Sequence, residues 1–321
     1  MRYRTLGGST GPTISTLCLG TLPFGTTVDE PTSFAILDRF AEAGGTFLDT
    51  ANNYACWVPG ATGDESELLL GRWLRSRGAR DRTVLATKAG ARPDPSRGPE
   101  WPANREGLGE KTVRNAVDGS LRRLGTDRVD LYYAHVEDRT VALEETVGAL
   151  AGLVRDGVVG VLGASNHATW RLAEARHIAG ARNLPGFRAV QQRHTYLRPR
   201  YEAESGLQRE TDEELLDYAA AHDDLTLLGY STLMHGGYAR PEKPLPERYD
   251  HPGSVARLRV AQEVAAEAGA TVNQVVLAWL TGGRVPVVPV LGVSSVTQLD
   301  ECLAALDLRL DAAQRARLDT A

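Results

Sequence analysis

Eight short apolar segments recur along the chain, and a longer amphipathic stretch follows each one. The segments are 17–20 (LCLG), 46–49 (TFLD), 83–88 (TVLATK), 129–135 (VDLYYAH), 158–165 (VVGVLGAS), 188–191 (RAVQ), 225–231 (LTLLGYS) and 285–290 (VPVVPV). β-Branched, near-continuous apolar runs of this length predict strands covered on both faces, as in a parallel sheet. Helical periodicity is expected over 30–43, 64–76, 110–124, 141–156, 167–180, 211–222, 271–281 and 295–305. Strands alternating with helices over the whole length predict one (β/α)8 TIM barrel domain, residues 1–321, rather than two domains. A preceding pair, 2–6 and 13–16, predicts an N-terminal β-hairpin closing the barrel bottom.

Three connections are long: 89–109, 192–210 and 232–253. All follow strands, so in a barrel they gather at the C-terminal rim, where such folds build their sites. They carry Trp101, His194, Tyr196, Tyr201 and Tyr238, poor residues for a merely solvated loop. Loops of this length are either disordered or functional, and the aromatics favour substrate-shaping loops.

Composition narrows the partners. The net charge of −5, with 24% charged residues, gives no basic surface for nucleic acid. No apolar run reaches the roughly 18 residues of a membrane span, and the first residues lack the apolar core of a signal peptide. Cys18, Cys56 and Cys302 lie far apart without metal-ligand spacing, so no metal site is expected. A soluble, cytoplasmic chain in a reducing compartment is the expectation.

Polar groups stand where the apolar strands end: Asp49, Lys88, His135, Ser165, Asn166, Gln191, Tyr230 and Ser231. In a barrel these share one small volume. Taken singly, each has an ordinary reading: a loop-capping aspartate, a snorkelling lysine, a satisfied histidine. Taken together, Asp49 would hold Lys88 charged, and the lysine cation would lower the pKa of nearby Tyr54 from its usual value near ~10. Tyr54 could then exchange a proton while His135 binds a substrate oxygen, a set suited to carbonyl reduction.

The motifs "GGTFLDTANNY", "ATKAG", "SLRRLGTDRVDLYYAH", "LVRDGVVGVLGASN" and "QVVLAWL" resemble, in order and spacing, those of the aldo-keto reductases. The likeness runs essentially end to end. It implies NAD(P)H-dependent carbonyl reduction on a (β/α)8 barrel by a tetrad of Asp49, Tyr54, Lys88 and His135. Tyr54 would be the general acid. The resemblance also implies a cofactor site of Gly20, Thr21, Asp49, Ser165, Asn166, Gln191, Tyr230, Ser231, Leu233, His235, Gly292, Ser294, Ser295, Gln298 and Glu301. No Rossmann glycine fingerprint is present, because "GVVGVLG" has the wrong spacing. Two features depart from the family pattern. Cys302 stands where relatives place asparagine near the adenine. Ser294 and Ser295 stand where many place Arg or Lys against the 2′-phosphate. NADPH is the first choice and NADH the alternative.

For the small-molecule carbonyl substrate, Trp57, Trp101, His135, His194 and Tyr196 are the expected contacts, with His235 and Tyr238 nearby. Aromatics mixed with Arg and Glu point to a polar, sugar-like or ring-bearing compound. Three alternatives remain: a nicotinamide-binding regulatory subunit, a Schiff-base enzyme using Lys88, and a metal hydrolase, for which a second histidine is missing. The oligomeric state has no signature.

Overall fold

The computed structural model describes residues 1–200, 206–240 and 244–321. Two strands, β1 (Tyr3–Thr5) and β2 (Thr13–Ser15), pair antiparallel. Eight parallel strands then close a barrel: β3 (Cys18–Gly20), β4 (Phe47–Asp49), β5 (Val84–Ala89), β6 (Val129–Ala134), β7 (Val159–Ser165), β8 (Phe187–Arg193), β9 (Thr226–Tyr230) and β10 (Val288–Gly292). Each strand pairs with its sequence neighbours, and β10 returns to β3. The predicted strands stand within three residues of these bounds at every end.

The hairpin acts as a floor. Leu6, just after β1, and Ile14 of β2 are fully buried in the barrel interior with Cys18, Phe47, Leu131, Tyr133 and Leu228. A separate, larger apolar layer lies between the strands and the helices. This double coverage explains why the strands read as apolar throughout rather than alternating.

The helices are α1 (Glu30–Glu42), α2 (Glu65–Arg77), α3 (Glu110–Leu124), α4 (Leu143–Arg155), α5 (Thr169–Ala181), α6 (Glu213–Ala220), α7 (Pro252–Ala268), α8 (Val272–Thr281), α9 (Val296–Ala304) and α10 (Ala312–Thr320). Two of them, α7 and α10, were not expected from sequence. Both are alanine- and arginine-rich with a thin apolar stripe, and α7 opens on Pro-Gly-Ser, which reads as a turn. Proline suits the first turn of a helix, where its missing N–H has no partner to lose. No described helix is long and apolar enough to cross a membrane.

Candidate active site

The four tetrad residues converge at the C-terminal end of the strands. Asp49 is the last residue of β4, Lys88 stands one residue before the end of β5, and His135 follows β6 directly. Tyr54 lies on the loop after β4. Asp49 and Lys88 are wholly buried and form an ion pair. Lys88 Nζ also donates to the Thr50 carbonyl at 2.8 Å and to Tyr54 Oη at 2.7 Å. Tyr54 Oη in turn donates to Asp49 Oδ1 at 2.9 Å. Gln191 Nε2 donates to the other oxygen, Asp49 Oδ2, at 2.9 Å. The His135 ring meets the Tyr54 ring edge-on, with centroids 6.0 Å apart.

Burial then sets the charges. Removal from water, opposed by the Asp49 charge, lowers the Lys88 pKa. His135 is held well below its usual value by burial and by the Lys88 cation, so its ring is neutral. Its Nδ1 is buried with no hydrogen-bond partner among the described residues. The Tyr54 phenol is pushed well above its usual value, first by burial and then by the Asp49 carboxylate that accepts its proton. This corrects the expectation that the lysine would lower it. In the described state the hydroxyl is within hydrogen-bond reach of both groups, and the carboxylate that accepts its proton favours the protonated form.

A deeper layer holds these groups in place, and sequence reasoning missed it. Ser66 and Glu67, in the first turn of α2, are both fully buried. Ser66 Oγ lies 2.8 Å from Thr21 Oγ1 and 2.8 Å from Thr50 Oγ1, and donates to the Thr21 carbonyl at 2.9 Å. Thr21 Oγ1 donates to the Asp49 carbonyl at 3.0 Å. One hydroxyl cluster thus ties the ends of β3 and β4 beneath the Lys88 acceptors. The available signal was two polar residues on the inward stripe of α2, in register with Leu70 and Leu74. Tyr133 was missed too. Its ring lies 5.4 Å from Lys88 Nζ, in space that a side chain at position 163 would fill: a Cβ on Gly163 would come 2.4 Å from the ring.

The profile of the Aldo/keto reductase family matches residues 16–321. The chain belongs to that family. The chain is 34% identical to the uncharacterized oxidoreductase YrpG of Bacillus subtilis, over 97% of this chain and 93% of that protein. It is also 34% identical to norsolorinic acid reductase stcV of Emericella nidulans, over 96% of this chain and 78% of the relative. Among solved structures, the thermostable aldo-keto reductase Tm1743, determined with the inhibitor epalrestat, superposes with a TM-score of 0.75. It shares 26% identity and covers 100% of this chain and 99% of its own.

Aldo/keto reductases of this kind are expected to take a nicotinamide cofactor, and the donor set at the barrel mouth fits one. Ser165, Asn166 and Gln191 stand together at the ends of β7 and β8. Asn166 adopts a left-handed φ of 58°. Its Nδ2 donates to the His135 carbonyl and to Ser165 Oγ, each at 3.0 Å, while its Oδ1 accepts from Tyr230 Oη at 2.8 Å. Ser231, Leu233 and His235 follow β9 on a turn with left-handed residues at 231, 234 and 235. Ser295 caps α9, its Oγ accepting from the Gln298 N–H at 3.2 Å, and Gln298 Oε1 accepts from the Ser294 N–H at 2.9 Å. The capping reading and an anion-binding reading coexist there, because the next N–H groups of the first turn have no helical partner. Gly292 ends β10 in open space.

Several expected contacts are occupied otherwise. The Thr21 hydroxyl belongs to the Ser66 cluster, and the Glu301 carboxylate accepts from Thr271 and Asn273 at the start of α8. A Cβ at Gly20 would meet Val290 Cγ1 at 2.9 Å, so glycine is needed there for strand packing. Cys302 is buried, with its thiol pushed up to about 12 by desolvation.

The substrate set divides. Trp57 and Trp101 are exposed, at 64% and 52%, and Trp101 Nε1 donates to the Ala91 carbonyl at 3.1 Å. Tyr196 faces inward instead, edge-on to Trp279 at 5.2 Å and beneath the Arg257 guanidinium. Tyr238 is buried beside it, its hydroxyl accepting from the Tyr196 N–H. His194 is buried against Trp279, with ring centroids 5.9 Å apart. An aromatic in a long loop can seal the loop against the barrel as readily as it can line a mouth, and these three do the former. Tyr201 lies outside the described residues. A second concavity, a cleft of about 410 Å³ lined by Arg92, Glu106, Arg122 and Arg123 among others, opens between the 89–109 loop and α3. No group of metal-binding side chains occurs among the described residues.

Proposed function

We propose that this aldo/keto reductase reduces an aldehyde or ketone to an alcohol, using NADPH or NADH, with Tyr54 as the proton donor. The observation that carries the reading is the pair of bonds at Tyr54 Oη: it donates to Asp49 and accepts from Lys88. When bound, the reduced nicotinamide supplies the hydride. The chain's own part is to orient the carbonyl and deliver one proton to its oxygen. His135, held neutral, would hydrogen-bond that oxygen through Nε2, since its unpartnered Nδ1 is buried. Tyr54 turns its proton from Asp49 to the substrate, and the Lys88 ammonium 2.7 Å away holds the phenolate that forms. Ser165, Asn166 and Gln191 are the residues to hold the carboxamide, Tyr230 the ring, and the 294–298 turn the adenosine phosphates.

A Schiff-base role for Lys88 is disfavoured by the Asp49 partner, which keeps it protonated. For the substrate, the exposed Trp57 and Trp101 favour a ring-bearing carbonyl compound. The relatives named norsolorinic acid reductases make norsolorinic acid a sensible member of the first screen. Titration with NADPH and NADH, read by tryptophan quenching and nicotinamide fluorescence, followed by an aldehyde and ketone screen, tests the proposal. Binding with turnover supports it, and failure to bind either cofactor overturns it.

A further inference from the structure

A second carboxylate stands behind Lys88. Glu67 of α2 is fully buried, yet it is no surface ion that a rotamer carried inward. Its Oε1 accepts from Thr87 Oγ1 at 2.5 Å, and its Oε2 from Arg123 Nε at 2.7 Å. Thr87 immediately precedes Lys88 on β5, so the carboxylate is anchored to the backbone that carries the lysine. A buried ion pair of this kind costs desolvation and is weak as a stabilising device. Its position explains it better than its stability does.

We propose that Glu67 is a positioning residue for the reductase site, holding Lys88 in its charged form and in register through Thr87. The inference rests on the reductase reading for its purpose, not for its test. Lys88 faces titratable or charged groups from every side. These are Asp49 from β4, Tyr54 from the following loop, Cys18 from β3, Tyr133 and His135 from β6 and its end, and Glu67 from α2. Only Asp49 and Glu67 are carboxylates, and Asp49 also has Tyr54 and Gln191 to satisfy. Glu67 itself faces Arg123, with Asp64 3.4 Å from the same guanidinium, and Arg92 and Tyr132 nearby. Its charge is therefore shared, but it has no donor from the mouth to follow. It stays fixed while Asp49 exchanges partners with Tyr54. Burial alone works against the ammonium, and the Glu67 charge acts in the opposite sense.

The chain has three lysines, Lys88, Lys111 and Lys243, which makes a direct reading practical. Lysine-selective 13C and 15N labelling gives three side-chain signals, and Lys111→Arg and Lys243→Arg identify the remaining one as Lys88. Its titration midpoint is followed in the whole chain, in the wild type, in Glu67→Gln and in Glu67→Asp. The midpoint is expected to fall by about 0.5–1 pH unit in Glu67→Gln, since an opposite charge is lost. In Glu67→Asp, which keeps the charge, it should stay within about 0.3 unit of the wild type. A merely structural glutamate would lower the melting temperature in both variants and leave the midpoint in place, and that result overturns the proposal. Should Glu67→Gln fail to fold, Thr87→Val severs the anchor while leaving the Arg123 pair, and a smaller fall is expected; no fall overturns the proposal equally. Because the signal is read without substrate or cofactor, failure of the reductase reading appears separately, as absent turnover in the wild type.

Discussion

His194→Phe separates a mouth-lining histidine from a buried one. In the structure the ring packs on Trp279, and desolvation alone lowers its pKa to about 4. The unfolded chain would take up its proton near pH 6.5. Above that value both states are neutral, and the histidine leaves stability independent of pH. As the pH falls below 6.5, the unfolded state binds the proton first, so stability declines until the folded value near 4 and is flat beyond it. For these two values, linkage gives a loss of about 2 kcal/mol between pH 7 and pH 5 from this residue alone. Phenylalanine keeps the aromatic contact and cannot titrate. Urea unfolding of both proteins at the two pH values gives the difference of differences, in which the buried His135 and His167 cancel. Wild type should lose about 2 kcal/mol more than the variant between pH 7 and pH 5, with unchanged denaturant slopes. Equal losses, within about 0.5 kcal/mol, would mean that the ring reaches water and that His194 belongs with the substrate contacts after all.

Three other outcomes are expected. Tyr54→Phe removes the proton donor and should lower kcat by about 10²–10⁴, with the cofactor Kd changed less than about twofold; stopped-flow turnover and fluorescence titration check the two halves. Ser294→Arg adds a cation at the start of α9 and should favour NADPH over NADH by about tenfold in Kd, since a charged hydrogen bond to the 2′-phosphate is new; an unchanged ratio misplaces the phosphate pocket. Ser66→Ala leaves the hydroxyls of Thr21 and Thr50 without their shared partner and should cost about 1–3 kcal/mol in urea unfolding. Its kcat should fall while cofactor affinity holds, because the Thr50 carbonyl that accepts from Lys88 is loosened.

The barrel was legible because its strands are covered on both faces, which leaves one apolar run per strand and one polar residue where the run leaves the core. That rule alone located Asp49, Lys88, His135, Ser165 and Gln191. It failed at α7 and α10, where alanine-rich helices pack through a thin stripe and give weak periodicity. It failed differently at Tyr196, His194 and Tyr238. Position in a long loop after a strand says that a residue is near the rim, not whether it points to the mouth or packs down against α8. The direction of the Tyr54 shift was beyond sequence as well. Listing a lysine and an aspartate beside a tyrosine says neither how deeply the phenol is buried nor that the carboxylate accepts its proton.

That last distinction bears on how the site works. Had Lys88 been the only charge at Tyr54, its cation would have worked against the burial that keeps the proton on the phenol. Had Asp49 been the only one, the phenolate left after transfer would face a carboxylate and the step would reverse. In the proposed reduction, placing both within hydrogen-bond distance of one oxygen would resolve the conflict by time: the carboxylate would keep the proton on Tyr54 before reduction, and the ammonium would receive the negative charge afterwards. Such an exchange requires that Lys88 stay charged while Asp49 is engaged with Tyr54. Within this barrel the group proposed to ensure it is the buried carboxylate of Glu67, the residue after Ser66 at the start of α2.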